Sequence, residues 1–154
     1  MSPGRRRRAS SLAPVGTALR VAAACAAVAL GWASPQPAWG YQPIVNYQLH
    51  CMGCHRADGS GEPGRVPSMR RSLVLFSGTP EGREYVIRVP GVAQSPLSDQ
   101  ETATLLNWMA RNLSDLAVPP EFVDYSAAEV QRWRTRPLAQ VGAVRARLMS
   151  AVPP

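Results

Sequence analysis

The sequence contains no lysine, and all 17 of its basic residues are arginines. Its first 40 residues contain no acidic residue either, because all ten Asp and Glu residues lie further along the chain. The formal net charge of +7 is therefore concentrated at the start, and the residues beyond position 40 carry twelve arginines against ten acids, a balance of +2. A segment with so small a net charge gives little reason to expect a nucleic-acid partner.

The sequence also lacks an apolar run long enough to cross a bilayer, which takes about 20 residues. The run at Val21–Ala33 is shorter, follows Arg20 and stands after a basic cluster at Arg5–Arg8. A basic start, a short apolar run and a stretch of small residues ending near Gly40 are typical of a secretory signal peptide. We predict that residues 1–40 are a signal peptide for export to the periplasm, and that no membrane span remains after cleavage. An uncleaved membrane anchor is the alternative.

Cysteine is scarce, with three residues in the chain. Cys25 falls within the apolar run of the predicted signal peptide, so two remain after cleavage. Both belong to the motif Cys51-Met52-Gly53-Cys54-His55. Two thiols at this spacing can add to the two vinyl groups of a haem, and the adjacent histidine can place its imidazole on the iron. The motif predicts one covalent haem c on Cys51 and Cys54, with His55 as an axial iron ligand.

Two other chemistries use closely spaced cysteines. A thioredoxin-like redox pair needs a βαβ context, which the flanking helical and loop patterns do not supply. A structural zinc site needs four ligands, and after cleavage only His50 can join Cys51, Cys54 and His55. Four ligands within six consecutive residues cannot readily surround one ion, so haem attachment is the preferred interpretation.

The pattern between residues 41 and 113 is helical, interrupted by a glycine- and proline-rich loop at 58–67. The best-marked helix follows Ser98, which forms a capping box with Glu101. The fold class predicted is all-α. Three short helices are expected, at 44–51, 82–89 and 99–113.

Residues 114–154 form a second piece, which begins with a break at Pro119-Pro120. A capping box at Ser126 and Glu129, and Pro137 at the first position of a last helix, predict a helical extension of two helices. Beyond residue 129 there are five arginines and no acid. This basic end can dock an acidic redox partner or pack against the rest of its own chain.

Three features around the cysteine motif are shared with one family. Tyr47 stands four residues before Cys51, a glycine-rich loop ends in Pro67, and the segment Leu97–Trp108 is similar to that family's last helix. Residues 41–113 thus resemble the class I, mitochondrial-type c cytochromes. The resemblance implies a cytochrome c core around one haem c, in which the Pro67 carbonyl accepts the Nδ1–H of His55. It does not extend to residues 114–154.

By the same resemblance, the chain is a single-electron carrier and not an enzyme, with a dehydrogenase, an oxidase or another cytochrome as its redox partners. The family usually takes its sixth iron ligand, a methionine, from the stretch that is 89–97 here, which contains no Met or His. Met69, Met109 and Met149 remain as candidates. Five-coordinate iron is the other possibility and would favour a haem enzyme or gas sensor, while a permanent haem subunit of a larger oxidoreductase is a third interpretation.

Two arginines directly after the loop, Arg70 and Arg71, can pair with the haem propionates, because a guanidinium fork matches a carboxylate. Two solvated surface charges are the equally weighted alternative. Pro43 replaces the small glycine that the family has eight residues before the first haem cysteine. We therefore expect an altered crossing between the first helix and the helix at 99–113.

Overall fold

The computed structural model of the protein describes residues 40–152. The predicted signal peptide lies outside these residues, apart from Gly40. Within them every regular element is helical, except for one isolated bridge between Glu62 and Val66, which confirms the all-α prediction. The helices are α1 (Pro43–His50), α2 (Met52–His55), α3 (Ser72–Ser77), α4 (Pro80–Arg88), α5 (Pro90–Ala93), α6 (Asp99–Asn112), α7 (Ala127–Arg134) and α8 (Val141–Ala151).

The three helices predicted before residue 114 are present with shifted ends. Helix α1 begins at Pro43, where a proline removes no hydrogen bond because the first N–H groups of a helix have no partner within it. Helix α4 begins two residues before the predicted start, since Thr79 caps it by accepting the Gly82 N–H at 3.1 Å. Helix α6 has the predicted capping box, in which the Ser98 N–H donates to the Glu101 carboxylate at 2.9 Å.

Two short helices beyond the cysteine motif were not predicted. Helix α3 is buried along most of its length, and its Phe76 ring meets the Tyr85 ring of α4 edge to face, with centroids 5.4 Å apart. Helix α4 ends at Arg88, close to the predicted end at 89, and helix α5 begins at Pro90. Proline at the first position of a helix is favoured, and here it starts a new turn after Val89.

The capping box predicted for α7 is only half formed. Ser126 accepts the Glu129 N–H at 3.2 Å, as expected. The Glu129 carboxylate, however, accepts hydrogen bonds from the Arg83 guanidinium of α4 at 2.6 and 2.7 Å, and not from the Ser126 backbone. Glu129, which was predicted to complete the capping box of α7, instead forms an ion pair that joins α7 to α4.

The prediction that the last helix begins at Pro137 is wrong, because α8 begins at Val141. The N–H of Leu138 donates to the Arg88 carbonyl, at the end of α4, with a distance of 2.9 Å. The chain therefore crosses α4 before it becomes helical again.

The described residues form one compact unit, in which the helices of the 114–152 segment pack on the earlier ones. Helix α1 meets α6 through Tyr47 and Trp108, whose ring centroids are 5.9 Å apart. Val130 of α7 is fully buried, and the Tyr125 hydroxyl lies 2.7 Å from the Ser77 hydroxyl. Among the helices of residues 40–152, none has the length and apolarity needed to cross a membrane.

Candidate haem site

The Cys51–His55 motif forms one tight turn at the end of α1. The Cys51 N–H donates to the Tyr47 carbonyl at 2.9 Å, and the His55 N–H donates to the Cys51 carbonyl at 3.0 Å. The Tyr47 hydroxyl then donates to the Arg56 carbonyl at 2.5 Å and to the His55 carbonyl at 3.3 Å. Because these bonds tie both ends of the motif to α1, the two thiols and the imidazole are held as one unit.

This unit forms part of the wall of a cavity of about 270 Å³. All four site residues predicted from the sequence line it: Cys51, Cys54, His55 and Pro67. The remaining lining is mostly apolar and comes from α3, α4, α6, the 89–97 segment and α8. Its largest side chains include Leu73, Phe76, Tyr85, Val86, Leu105, Leu106 and Met109.

The imidazole of His55 is in an environment that favours its neutral form. Burial, followed by the positive charge of Arg145, lowers the pKa of His55, whereas the Pro67 backbone acts in the opposite direction. The Nδ1 atom is buried and has no hydrogen-bond partner in the described structure. The Pro67 backbone thus raises the pKa of the imidazole, although no well-formed hydrogen bond joins it to Nδ1. The hydrogen bond from Nδ1–H to the Pro67 carbonyl stays a prediction. A neutral imidazole is the form that binds iron.

The approach of Pro67 to the motif depends on Gly61. The Gly61 N–H donates to the His55 carbonyl at 3.3 Å, which attaches the loop to the motif. Gly61 has a φ of +71°, and a Cβ at this position would lie 2.4 Å from the Val66 carbonyl oxygen and 3.0 Å from that of Pro67. Only glycine permits both this conformation and this close approach.

The two cysteines are free, with Cys51 partly buried and Cys54 exposed. Burial, and then the neighbouring Cys54, raises the pKa of Cys51 to about 11. A thioredoxin-like pair needs the opposite shift, since its reactive thiol has a lowered pKa. The zinc alternative also loses support, because residues 40–152 contain no cluster of three or more His, Cys, Asp or Glu side chains that could hold a metal ion.

No known protein-family model matches the chain. Two curated proteins are similar to it. Cytochrome c-552 of Thermus thermophilus is 31% identical over 118 aligned residues, in an alignment that covers 64% of this chain and 90% of that protein. The chain belongs to the c-type cytochromes. A second cytochrome c-552, from a designated strain of Thermus thermophilus, is also 31% identical over 118 residues, with 64% of this chain and 80% of that protein covered.

The cavity of this c-type cytochrome fits the haem that its family carries. Two thiols and an imidazole lie on its wall, and the His55 Nδ1 is a buried nitrogen that still lacks a partner. The walls are otherwise mostly apolar, which suits the macrocycle. The hydroxyls of Ser95 and Thr102 are also buried, also line the cavity and have no partner among the described residues.

Two of the three candidate methionine ligands of this cytochrome reach the cavity. Met69 and Met109 line it, whereas Met149 does not and is 42% exposed. The Met69 N–H donates to the Gly59 carbonyl at 3.0 Å, which places Met69 in the same loop as Pro67. Met109 lies on α6 within the buried core. The 89–97 segment supplies Val89, Gly91, Val92, Ser95 and Leu97 to the lining.

The arginines proposed from the sequence as propionate partners do not line the cavity. Arg70 binds the Asp58 carboxylate at 2.8 Å and also forms an ion pair with Asp115, and Arg71 is exposed. Arg145 of α8 lines the cavity instead, and sequence reasoning missed it in this role. Arg145 stands four residues after Val141, another lining residue, and so shares its helix face, but this spacing alone does not show that the face lines a cavity.

Proposed function

We propose that this c-type cytochrome is an exported single-electron carrier with one haem c, attached covalently through Cys51 and Cys54 and ligated by His55. One observation carries the proposal: the two thiols and the imidazole lie together on the wall of a single apolar cavity. The sequence of the first 40 residues supports export to the periplasm. Its partners there would be a dehydrogenase as donor and an oxidase or another cytochrome as acceptor.

When bound, the haem iron takes up and releases one electron. The chain's own residues supply the rest of the function. Cys51 and Cys54 fix the orientation of the macrocycle, and the His55 imidazole is set by the turn that Tyr47 holds. The apolar side chains of α3, α4 and α6 exclude water, and a dry environment disfavours the more highly charged oxidised iron centre.

The lining offers little for substrate chemistry. Its charged or basic side chains are Arg145, His55 and His50, and His50 directly precedes Cys51 on the side where the haem is attached. A haem enzyme or gas sensor with an open iron site remains the second candidate function. The observation in its favour is the pair of unpartnered hydroxyls, Ser95 and Thr102, which could donate to a small molecule bound at the iron.

The test is an optical spectrum of protein produced with a haem-attachment system in an oxidising compartment. For the electron carrier we expect haem that stays on the denatured chain, a low-spin spectrum and no response to carbon monoxide. The control is the double variant Cys51→Ala and Cys54→Ala, which keeps His55 but cannot form thioether bonds. High-spin iron that binds carbon monoxide would favour the enzyme or sensor, and absence of covalent haem from the unmodified chain would refute the proposal.

The sixth ligand can be identified in the same preparation with Met69→Leu, Met109→Leu and Met149→Leu. Leucine retains the apolar volume, so an exchange at a methionine that does not bind the iron should lower stability by less than about 1.5 kcal/mol. We expect one of the first two variants to lose the methionine–iron charge-transfer band and to bind carbon monoxide. The Met149→Leu protein should keep the original spectrum, because Met149 is away from the cavity. A band unchanged in all three variants would rule out ligation by these methionines.

A further inference from the structure

The twelve arginines of residues 40–152 differ in whether a carboxylate balances their charge. Six of the twelve form ion pairs with a carboxylate: Arg65, Arg70, Arg83, Arg88, Arg111 and Arg134. Of the six that have no carboxylate partner within residues 40–152, five are exposed to solvent, where water can solvate the charge. The sixth, Arg145, is partly buried.

Arg145 lies on α8 and lines the cavity. Its guanidinium carbon is 5.4 Å from the centroid of the Phe76 ring, and its Nη2 donates to the Ser68 carbonyl at 3.4 Å. These contacts orient the group but do not balance its charge. A partly buried guanidinium is stabilised by an anion, and its planar fork matches the two oxygens of a carboxylate.

We propose that Arg145 binds a propionate carboxylate of the haem, so that the C-terminal helix forms part of the cofactor site. This inference rests on the proposed function, which supplies the haem. The haem brings two carboxylates into a cavity whose described lining contains no acidic residue and one arginine. Arg70 is not available for this role because Asp58 and Asp115 already pair with it. Arg145 is therefore a positioning residue for the cofactor.

A pairing between Arg145 and a propionate should affect the reduction potential of the iron. A positive charge that neutralises a propionate favours the reduced centre, which carries one positive charge less than the oxidised centre. Removal of this charge should therefore lower the reduction potential. The loss of one partly buried charge should reduce the Fe(II)/Fe(III) ratio at a fixed ambient potential roughly tenfold, which corresponds to about 59 mV for a one-electron couple.

The experiment is a spectroelectrochemical titration of the haem-loaded full chain and three variants. Arg145→Gln removes the charge, and Arg145→Lys keeps the charge but not the fork. Arg147→Gln removes an exposed charge from the same helix, away from the cavity, and serves as the matched control. We expect the full decrease in Arg145→Gln, a smaller decrease in Arg145→Lys, and a potential close to the original in Arg147→Gln.

Two results would overturn the inference while leaving the proposed function intact. One is an unchanged potential in Arg145→Gln with a normal haem spectrum. The other is an equal decrease in Arg145→Gln and Arg147→Gln, which would indicate a general effect of surface charge. If Arg145→Gln does not fold, a potential in Arg145→Lys identical to that of the unmodified protein would also count against a bidentate pairing. Failure of the unmodified chain to attach haem would refute the proposed function itself.

Discussion

At the scale of single residues, Tyr47 determines how the turn of the Cys51–His55 motif is held. Its hydroxyl bonds to the carbonyls of His55 and Arg56, while its ring packs on Trp108 of α6. Arg56 is the one non-glycine residue of positive φ among those described, at 54°. With its ψ of 171°, Arg56 lies in a backbone region that is otherwise occupied almost exclusively by glycine, at a cost of about 1–3 kcal/mol. The hydrogen bond from Tyr47 offsets part of this cost, so one side chain both ends the motif and attaches it to the core.

Gly61 offers a test of how the loop positions His55, the proposed axial ligand. In Gly61→Ala the new Cβ would collide with the Val66 and Pro67 carbonyls, so the segment carrying Pro67 must move away from His55. We expect a loss of about 2–4 kcal/mol in the free energy of unfolding, as left-handed strain and overpacking add. The haem-loaded variant should also show a shifted reduction potential. Chemical unfolding and potentiometry measure the two effects.

Gly64→Ala is the matched control for this substitution. Gly64 has a similar φ of +78°, but a Cβ there would meet no atom within 4 Å. It should therefore lose only the roughly 1–2 kcal/mol of left-handed strain and keep its reduction potential. If the two variants behave alike, the contact between Gly61 and the 66–67 carbonyls has no role in placing the histidine.

At the scale of elements, the sequence predicted the start of a helix where residues close in the chain determine it. Helix α6 was predicted because Ser98 and Glu101 lie three residues apart and do form a capping box. The start of α8 was placed at Pro137 because that residue suits a first turn, yet Leu138 bonds to Arg88, 50 positions earlier in the chain. The sequence alone does not reveal a partner at that distance. Helix α3, with six residues, is too short to show a periodic pattern.

The contact between α3 and α4 depends on Gly82. A Cβ on this residue would lie 2.1 Å from the Phe76 carbonyl oxygen and 2.7 Å from the Phe76 Cα. Because backbone atoms on α3 cannot yield as a flexible side chain can, Gly82→Ala must separate the two helices. We expect a loss of about 1–3 kcal/mol in the free energy of unfolding, measured by denaturant titration of the haem-loaded protein.

Gly142→Ala provides the comparison on another helix. Gly142 lies in α8, does not line the cavity, and would place its Cβ in open space. Alanine is the better helix former, so this variant should be as stable as the original or slightly more stable. Equal destabilisation by the two substitutions would show that the close approach at Gly82 is unimportant.

At the scale of the whole molecule, the sequence predicted which residues of the Cys51–His55 motif lie together better than it predicted their surroundings. Cys51, Cys54 and His55 lie within five residues, so their spacing alone brings them together. The basic end allowed two interpretations, an external partner or its own chain. The structure shows the second for Arg134, which binds Asp99 at 2.9 Å and the Leu97 carbonyl at 2.8 Å. Arg145 could not be placed in the cavity because the lining residues outside α8 come from helices α1–α6 and the loops between them.

The cavity also occupies a large share of the core. Of the sixteen buried residues in the main apolar cluster, eight line it: Leu73, Phe76, Tyr85, Val86, Leu97, Leu105, Leu106 and Met109. A domain of this size buries little apolar surface beyond what its stability requires. We therefore expect the haem to have a structural role, since it would complete the packing of half of the cluster.

We predict that the chain without haem is largely unfolded. With the cavity unfilled, the eight lining residues lose contacts on one side, and the remaining core cannot offset the conformational entropy of more than a hundred ordered residues. Protein produced without the attachment system should show little helical circular dichroism and no cooperative thermal transition, while the haem-loaded protein shows both. The Cys51→Ala and Cys54→Ala double variant, supplied with free haem, separates filling of the cavity from covalent attachment, because filling alone should restore part of the helical signal. A cooperative melt of the haem-free chain would show that helices α1–α8 pack securely around an empty cavity, and that the haem has no part in folding.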